Sequence, residues 1–245
     1  MSTNDEKAEK KGIKLFFEER AKTHDESNPL KSVIYQDKNP ALAQDRDACE
    51  KNKIKNLLNI SKNDVVLDIG CGIGRWAGEM CEVVKKYVGI DYTSGFIDIA
   101  KANYKNKRNA HFICLDGTKL SDLEVKRHSP YTVILIIGFF LYIHNKEGRD
   151  VLRQALEVSA DESLIIIREP IAVEKEVVLD NVWSEDMGTY YSARYRTRGW
   201  FIRMFNDVLF EEGYSLIVDE ALFPEHLNNR IESRQHLFVL KKMAK

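Results

Sequence analysis

At 245 residues the chain is long enough to bury the core of one α/β domain with additions. Its 37 lysines and arginines stand against 38 aspartates and glutamates, so no global charge excess points to nucleic acid or to an anionic membrane. The cysteines, Cys49, Cys71, Cys81 and Cys114, include no C-x-x-C pair and no zinc spacing, so a reducing, cytoplasmic setting without a resident metal is expected.

The polar start MSTNDEKAEKKG has no apolar centre and does not read as a secretory signal; a frayed lead-in is expected. Residues 13–24 space their apolar side chains for one helical face, with Leu15, Phe16 and Phe17 predicted to pack over the mouth of the domain. A proline-bounded irregular piece leads to a helix over 41–58, capped by Asn39 with Pro40 at the first helical position. Residues 1–58 thus read as a helical lid carrying Tyr35, Arg46 and Glu50, and 59–245 as the main domain.

Residues 65–69, VVLDI, read as a strand covered on both faces that runs into Gly70, Gly72 and Gly74, with Asp68 just before the turn. A helix near 75–84 should turn its free N–H groups toward a ligand across the loop. Strands at 86–91, 111–116, 131–138 and 163–170 alternate with helices at 94–104 and 146–159, the rhythm of parallel βαβ units in an α/β fold. The longest apolar run, 133–143, is too short to span a bilayer. Residues 171–198 break the rhythm and read as an insertion over the substrate side. A helix at 199–213 and strands at 214–222 and 234–242, an antiparallel edge, complete the chain.

Spacing separates the candidate ligands of the glycine turn. Arg75 stands where a G-x-G-x-x-G dinucleotide loop has its third glycine, and no G-K-S or G-K-T is present. Asp91, at the end of the second strand, suits a ribose diol, and Asp116, at the end of the third, suits an exocyclic amine. Carboxylates at successive strand ends need partners and are not a core device.

The stretches VVLDIGCGIGRWA, YVGIDYTSGFIDIAKAN, HFICLDGTKL and YTVILIIGFFLYIH together resemble the consecutive motifs of class I S-adenosylmethionine-dependent methyltransferases, over about 55–170. The resemblance implies a Rossmann-like, doubly wound seven-stranded sheet, mostly parallel, with an antiparallel C-terminal hairpin edge and S-adenosylmethionine across the strand ends. By position it puts Asp68, Gly70, Cys71 and Gly72 at the methionine part, Asp91 and Tyr92 at the ribose, Asp116 and Gly117 at the adenine, and Gly138 and Phe139 on the sulfonium side. Tyr35 and Arg46 are its candidates for closing over the methionine carboxylate.

Methyl transfer from a sulfonium is an in-line displacement that needs a base only if the acceptor must lose a proton. His144, after the fourth strand, is the first candidate, with Tyr142 and Glu169 as alternatives; for Glu169 the favoured reading is the ion-pair partner of Arg168. The insertion alternates Arg194, Arg196 and Arg198 with Tyr190, Tyr191 and Tyr195, a combination suited to an acidic or sugar-like acceptor unless the arginines pair with Glu185 and Asp186. Arg168, Tyr190, Tyr191, Arg194 and Arg196 are therefore the candidate acceptor contacts. IGFFLY lacks the proline pair of DNA-amine methyltransferases, so no nucleic-acid partner is expected. The expected activity is methylation of an oxygen on a small, sugar-linked or anionic acceptor, resembling bacterial enzymes that modify surface polysaccharide. The alternatives are N-methylation of an amino sugar or small amine, and a non-catalytic S-adenosylmethionine-binding module.

Overall fold

Strand β1 (Val65–Ile69) is buried along almost its whole length because it lies between β2 (Lys86–Asp91) and β4 (Tyr131–Ile137), parallel to both. Continuous Val, Leu and Ile suit a strand with helices on both faces. The computed structural model describes residues 3–35, 38–185, 187–228 and 230–243, with side chains from Lys10 onward. β3 (Ala110–Cys114) lies outside β2, and β5 (Ser159–Ala172) continues the parallel run beyond β4. β9 (Ser233–Lys242) and β8 (Tyr214–Ala221) add antiparallel to β5, giving the order β3-β2-β1-β4-β5-β9-β8. The chain winds outward from β1 and then returns to β4 on its other side. That reversal opens a crevice beyond the strand C-termini.

Two apolar layers cover the sheet. One joins Leu67, Ile69 and Ile134 to α6 (Asn145–Val158) and α7 (Arg198–Phe205). The other joins Val66, Leu135 and Ile166 to Ile54 of α2 (Pro40–Leu57). α2 starts as expected, with the Asn39 side chain accepting from the Leu42 N–H at 3.1 Å and Pro40 in the first turn. The N-terminal helix, α1 (Thr3–Lys22), is longer than predicted and packs Ile13 and Phe17 against Phe96 of α4 (Ser94–Asn103). Among the described residues no helix is long and apolar enough to cross a membrane.

Two expectations change. The helix predicted over 75–84 is a single turn, α3 (Ala77–Met80), because the glycine turn continues through residue 76. A further single turn, α5 (Leu123–Lys126), lies in the loop before β4. The segment read as an irregular insertion is a regular hairpin, β6 (Val177–Ser184) and β7 (Thr189–Tyr195), forming a separate two-stranded sheet. Tyr191, Ala193 and Tyr195 alternate inward to meet Leu141 and Ala172, with Phe16, Tyr35 and Tyr142 at the rim.

Candidate active site

Two cavities adjoin at the crevice. The first, with about 960 Å³ of empty space, runs from the glycine turn past Asp91 and Asp116 under Ile13 and Phe17 of α1. The second, of about 1030 Å³, lies between α2, β5, β9 and the hairpin. Val33, Tyr35, Ile137, Gly138, Tyr142 and Arg168 line both and form the seam between them.

The first chamber is built on the strand ends. Gly72 has a φ of +54°, and a Cβ there would lie 2.8 Å from Val33, so the turn admits only glycine without rearrangement. Its N–H donates to Asp91 Oδ2 at 3.1 Å, while Thr93 N–H donates to Oδ1 at 2.8 Å. Burial raises the Asp91 carboxyl. Burial also pushes Asp68 up to about 6, against the Tyr87 hydroxyl, which donates to it. Asp116 Oδ1 accepts from Thr118 N–H and Oγ, at 3.0 and 2.8 Å, and Oδ2 pairs with Lys10 at 3.0 Å. Burial opposes ionisation of Asp116, yet these contacts hold it below the usual carboxylate range. Lys10 also reaches Glu147 at 3.0 Å, so α1 is tied over this end of the chamber.

Asp68, Gly70, Cys71, Gly72, Asp91, Tyr92, Asp116, Gly117, Gly138 and Phe139, the cofactor positions named from the sequence, all line this first chamber, as does Tyr35. Arg46 does not. Its Nε and Nη2 donate to the Leu227 carbonyl at 2.8 and 2.5 Å, and it lines the second chamber. Arg75, unassigned in the sequence reading, lines the first, and its guanidinium sits 5.6 Å over the Trp76 ring. Its clue was its position immediately after Gly74. Trp76 also lines the chamber, is 2% exposed, and its indole N–H has no partner among the described residues. A waiting buried donor, aromatic walls from Tyr92 and Phe96, and carboxylates at successive strand ends fit a nucleoside carrying a charged amino-acid tail.

The seam carries hydroxyls. Tyr142 hydrogen-bonds to Tyr35 and stands 3.2 Å from the Tyr191 hydroxyl. Burial holds Tyr142 and Tyr191 well above the ordinary phenol range and pushes Tyr35 up to about 12. His144 lines neither chamber. It begins α6, and its backbone N–H donates to Glu147 Oε2 at 3.0 Å. Glu169 also lines neither; it is 1% exposed, and its Oε1 accepts from the N–H groups of Phe139 and Phe140 at 2.6 and 2.8 Å. Burial pushes its carboxyl up to about 7. It braces the turn after β4.

The hairpin arginines also have partners outside the two chambers. Arg196, 1% exposed, donates to the carbonyls of Phe140 and Ile143, both at 2.5 Å, and to Asn145 at 2.8 Å. Arg194 faces Glu176 at 3.5 Å, Arg198 pairs with Asp219, and Tyr190 packs on Trp183 with ring centres 5.4 Å apart. Asp186 lies outside the described residues. Of the hairpin aromatics only Tyr191 and Tyr195 line the second chamber, because successive strand residues face opposite sides. Arg168 does line it, but its partner is Glu50, with Nε 2.6 Å from Oε2. Glu50 is 3% exposed and also pairs with Arg75. Burial alone would raise its carboxyl, but Arg168 and Arg75 outweigh burial and hold it below the usual range.

The sheet order and its crevice define a class I methyltransferase fold. Residues 66–162 match the family model described as a methyltransferase domain. The chain is 28% identical over 105 residues to phosphoethanolamine N-methyltransferase 1 of Arabidopsis thaliana, covering 43% of this chain and 21% of that protein. It is 26% identical over 115 residues to the phosphoethanolamine N-methyltransferase of Triticum aestivum, covering 47% and 22%. The matches therefore span about a fifth of the length of these relatives. Among solved structures, Haemonchus contortus phosphoethanolamine N-methyltransferase 1, in complex with phosphoethanolamine and S-adenosylhomocysteine, superposes with a TM-score of 0.76 at 19% identity, over 100% of this chain and 50% of that one. A Burkholderia thailandensis 1,6-didemethyltoxoflavin-N1-methyltransferase with bound 1,6-didemethyltoxoflavin and S-adenosylhomocysteine gives 0.60 at 11% identity, over 81% and 78%.

Proposed function

We propose that this chain transfers a methyl group from S-adenosylmethionine to an amine nitrogen of a small acceptor. The observation that carries the reading is the seam: Tyr35, Gly138 and Tyr142 line the chamber of the glycine turn, Asp91 and Asp116 on one side and the adjoining second chamber on the other. In this reading Asp91 holds the ribose diol, Asp116 and Gly117 border the adenine, and Trp76 and the glycine turn meet the amino-acid end. When bound, the cofactor supplies an electrophilic methyl group. The chain's part is to hold the acceptor in line with it and to exclude water beneath α1.

An amine is favoured over an alcohol by what borders the seam. Tyr35 and Tyr142 are held further from ionisation than free phenols, and His144 and Glu169 line neither chamber. An amine that has already given its proton to solvent needs no base, and a tyrosine hydroxyl can accept its N–H. The aromatic faces also favour the cationic product. An oxygen acceptor has His144 as its first candidate base, and a sugar-linked acceptor draws on the lead-in and the arginine-tyrosine insertion. The N-methyltransferase relatives accord with the amine.

Calorimetry with S-adenosylhomocysteine, followed by labelled methyl transfer to matched amines and alcohols, tests the reading. Micromolar binding with transfer to amines supports it. Absence of binding removes the cofactor, transfer only to alcohols removes the amine, and binding with no transfer points to a non-catalytic module.

A further inference from the structure

The second chamber has an uneven charge. Arg46, Arg168 and Arg230 line it, and Glu50 is the one acidic side chain among the described lining residues. Glu50 does not neutralise this set, since it is shared with Arg75 from the first chamber. Arg75 is in turn matched by Asp47 at 2.6 Å, and Asp47 by Lys51 at 2.8 Å. Arg168 and Arg75 are balanced two against two by Glu50 and Asp47, so the excess positive charge of the chamber lies on Arg46 and Arg230. Arg168 Nε lies 2.6 Å from Glu50 Oε2, and its Nη1 donates to the neutral Gln235 at 3.2 Å. Arg46 is held by the Leu227 carbonyl and lies 5.7 Å from the Phe223 ring centre. Arg230 sits at the rim, with a loose contact to Glu232 at 3.4 Å and a side chain 35% exposed.

We propose that this chamber binds a small oxyanion group, phosphate or carboxylate, on Arg168 and Arg230, and that this group is the end of the acceptor remote from the methylated atom. Guanidinium forks match both oxyanions. Arg168 reaches the seam itself, where a Cβ on Gly138 would meet its Nη1 at 3.3 Å. An acceptor gripped there by its anionic end has its other end directed at Tyr35 and Tyr142. Glu50 keeps Arg168 in place from behind. The hairpin arginines have no part in the site. Calling the ligand the acceptor rests on the methyltransferase reading, whereas anion binding in the chamber does not.

The experiment titrates inorganic phosphate and, separately, acetate into the full chain at low salt, with and without saturating S-adenosylhomocysteine, for wild type, Arg168→Gln, Arg230→Gln and Arg194→Gln. Saturable phosphate or acetate binding is expected, and the tighter of the two identifies the oxyanion. Arg168→Gln and Arg230→Gln should each weaken it by roughly tenfold, while Arg194→Gln leaves it unchanged. Arg230, at the rim, keeps the test open if Arg168→Gln does not fold. No saturable binding of either anion overturns the proposal, as does equal weakening by Arg194→Gln or no effect of Arg230→Gln. Phosphate binding without S-adenosylhomocysteine binding sustains the anion site while the cofactor reading fails. The reverse result overturns the anion site alone.

Discussion

Glu50 Oε2 lies 2.6 Å from Arg168 Nε, and the same buried carboxylate pairs with Arg75, so one side chain of α2 ties the glycine turn of the first chamber to the seam with the second. Replacing it by glutamine leaves two guanidiniums, both largely buried, without their shared anion. The expected cost of Glu50→Gln is about 3 kcal/mol of folding stability, read by denaturant unfolding. The pH dependence has a fixed sign: the folded-state carboxyl is held below its ordinary 4.5, so its stabilisation is present above that value and is lost as pH falls through the lower, folded-state value. Glu50→Gln should lose this part of the acid-side slope, and an unchanged acid limb would place the titration elsewhere.

Glu169 behaves oppositely. Burial raises its folded-state carboxyl from 4.5 to about 7, so the folded state binds the proton more tightly and stability falls as pH rises across that window. Glu169→Gln can still accept from Phe139 and Phe140, and its stability should be flatter between those limits than that of wild type. Its turnover should persist, because the group braces a turn. Abolished turnover in a folded variant would instead make Glu169 a base.

Asp91 combines two tasks, since the backbone N–H groups of Gly72 and Thr93 already occupy its two oxygens. Asp91→Asn exchanges one acceptor oxygen for a donor amide, so S-adenosylhomocysteine should bind more weakly by about 1–3 kcal/mol in calorimetry. Unchanged affinity would remove Asp91 from the cofactor site.

The two base candidates of the seam region should part company. His144→Ala is expected to change kcat less than about tenfold, whereas Tyr142→Phe, which removes the hydroxyl shared with Tyr35 and Tyr191, should raise the acceptor KM by about tenfold. Steady-state kinetics with an amine acceptor reads both. A larger loss in His144→Ala than in Tyr142→Phe would restore the alcohol reading.

Much of this architecture was legible because its signals are local. Val65, Val66, Leu67 and Ile69 mark a doubly covered strand, and Gly70, Gly72, Asp91 and Asp116 fall at or just past strand ends whatever the side-chain packing. The hairpin is hard to read although Tyr191, Ala193 and Tyr195 alternate, because its exposed face also carries large apolar side chains, Val178, Trp183 and Tyr190, which mask the period. Arg194 and Arg196 were attractive as a cluster, but strand pleating turns Arg194 away and burial commits Arg196 to backbone carbonyls. The residues that do line the second chamber, Arg46, Glu50, Arg168, Arg230 and Gln235, are scattered from α2 to β9. Arg168 is named from the sequence as an acceptor contact, but only tertiary packing brings Arg46, Glu50, Arg230 and Gln235 beside it, and no spacing in the chain announces that grouping.

The most direct test of the central claim is a single-turnover assay with S-adenosylmethionine carrying a labelled methyl group and O-phosphoethanolamine as the anionic amine probe, with ethanolamine alongside. The label is expected to move to nitrogen of the phosphorylated amine in preference to ethanolamine, and Arg168→Gln or Arg230→Gln is expected to diminish this preference. Label appearing on oxygen acceptors while both amines stay unmodified would contradict it.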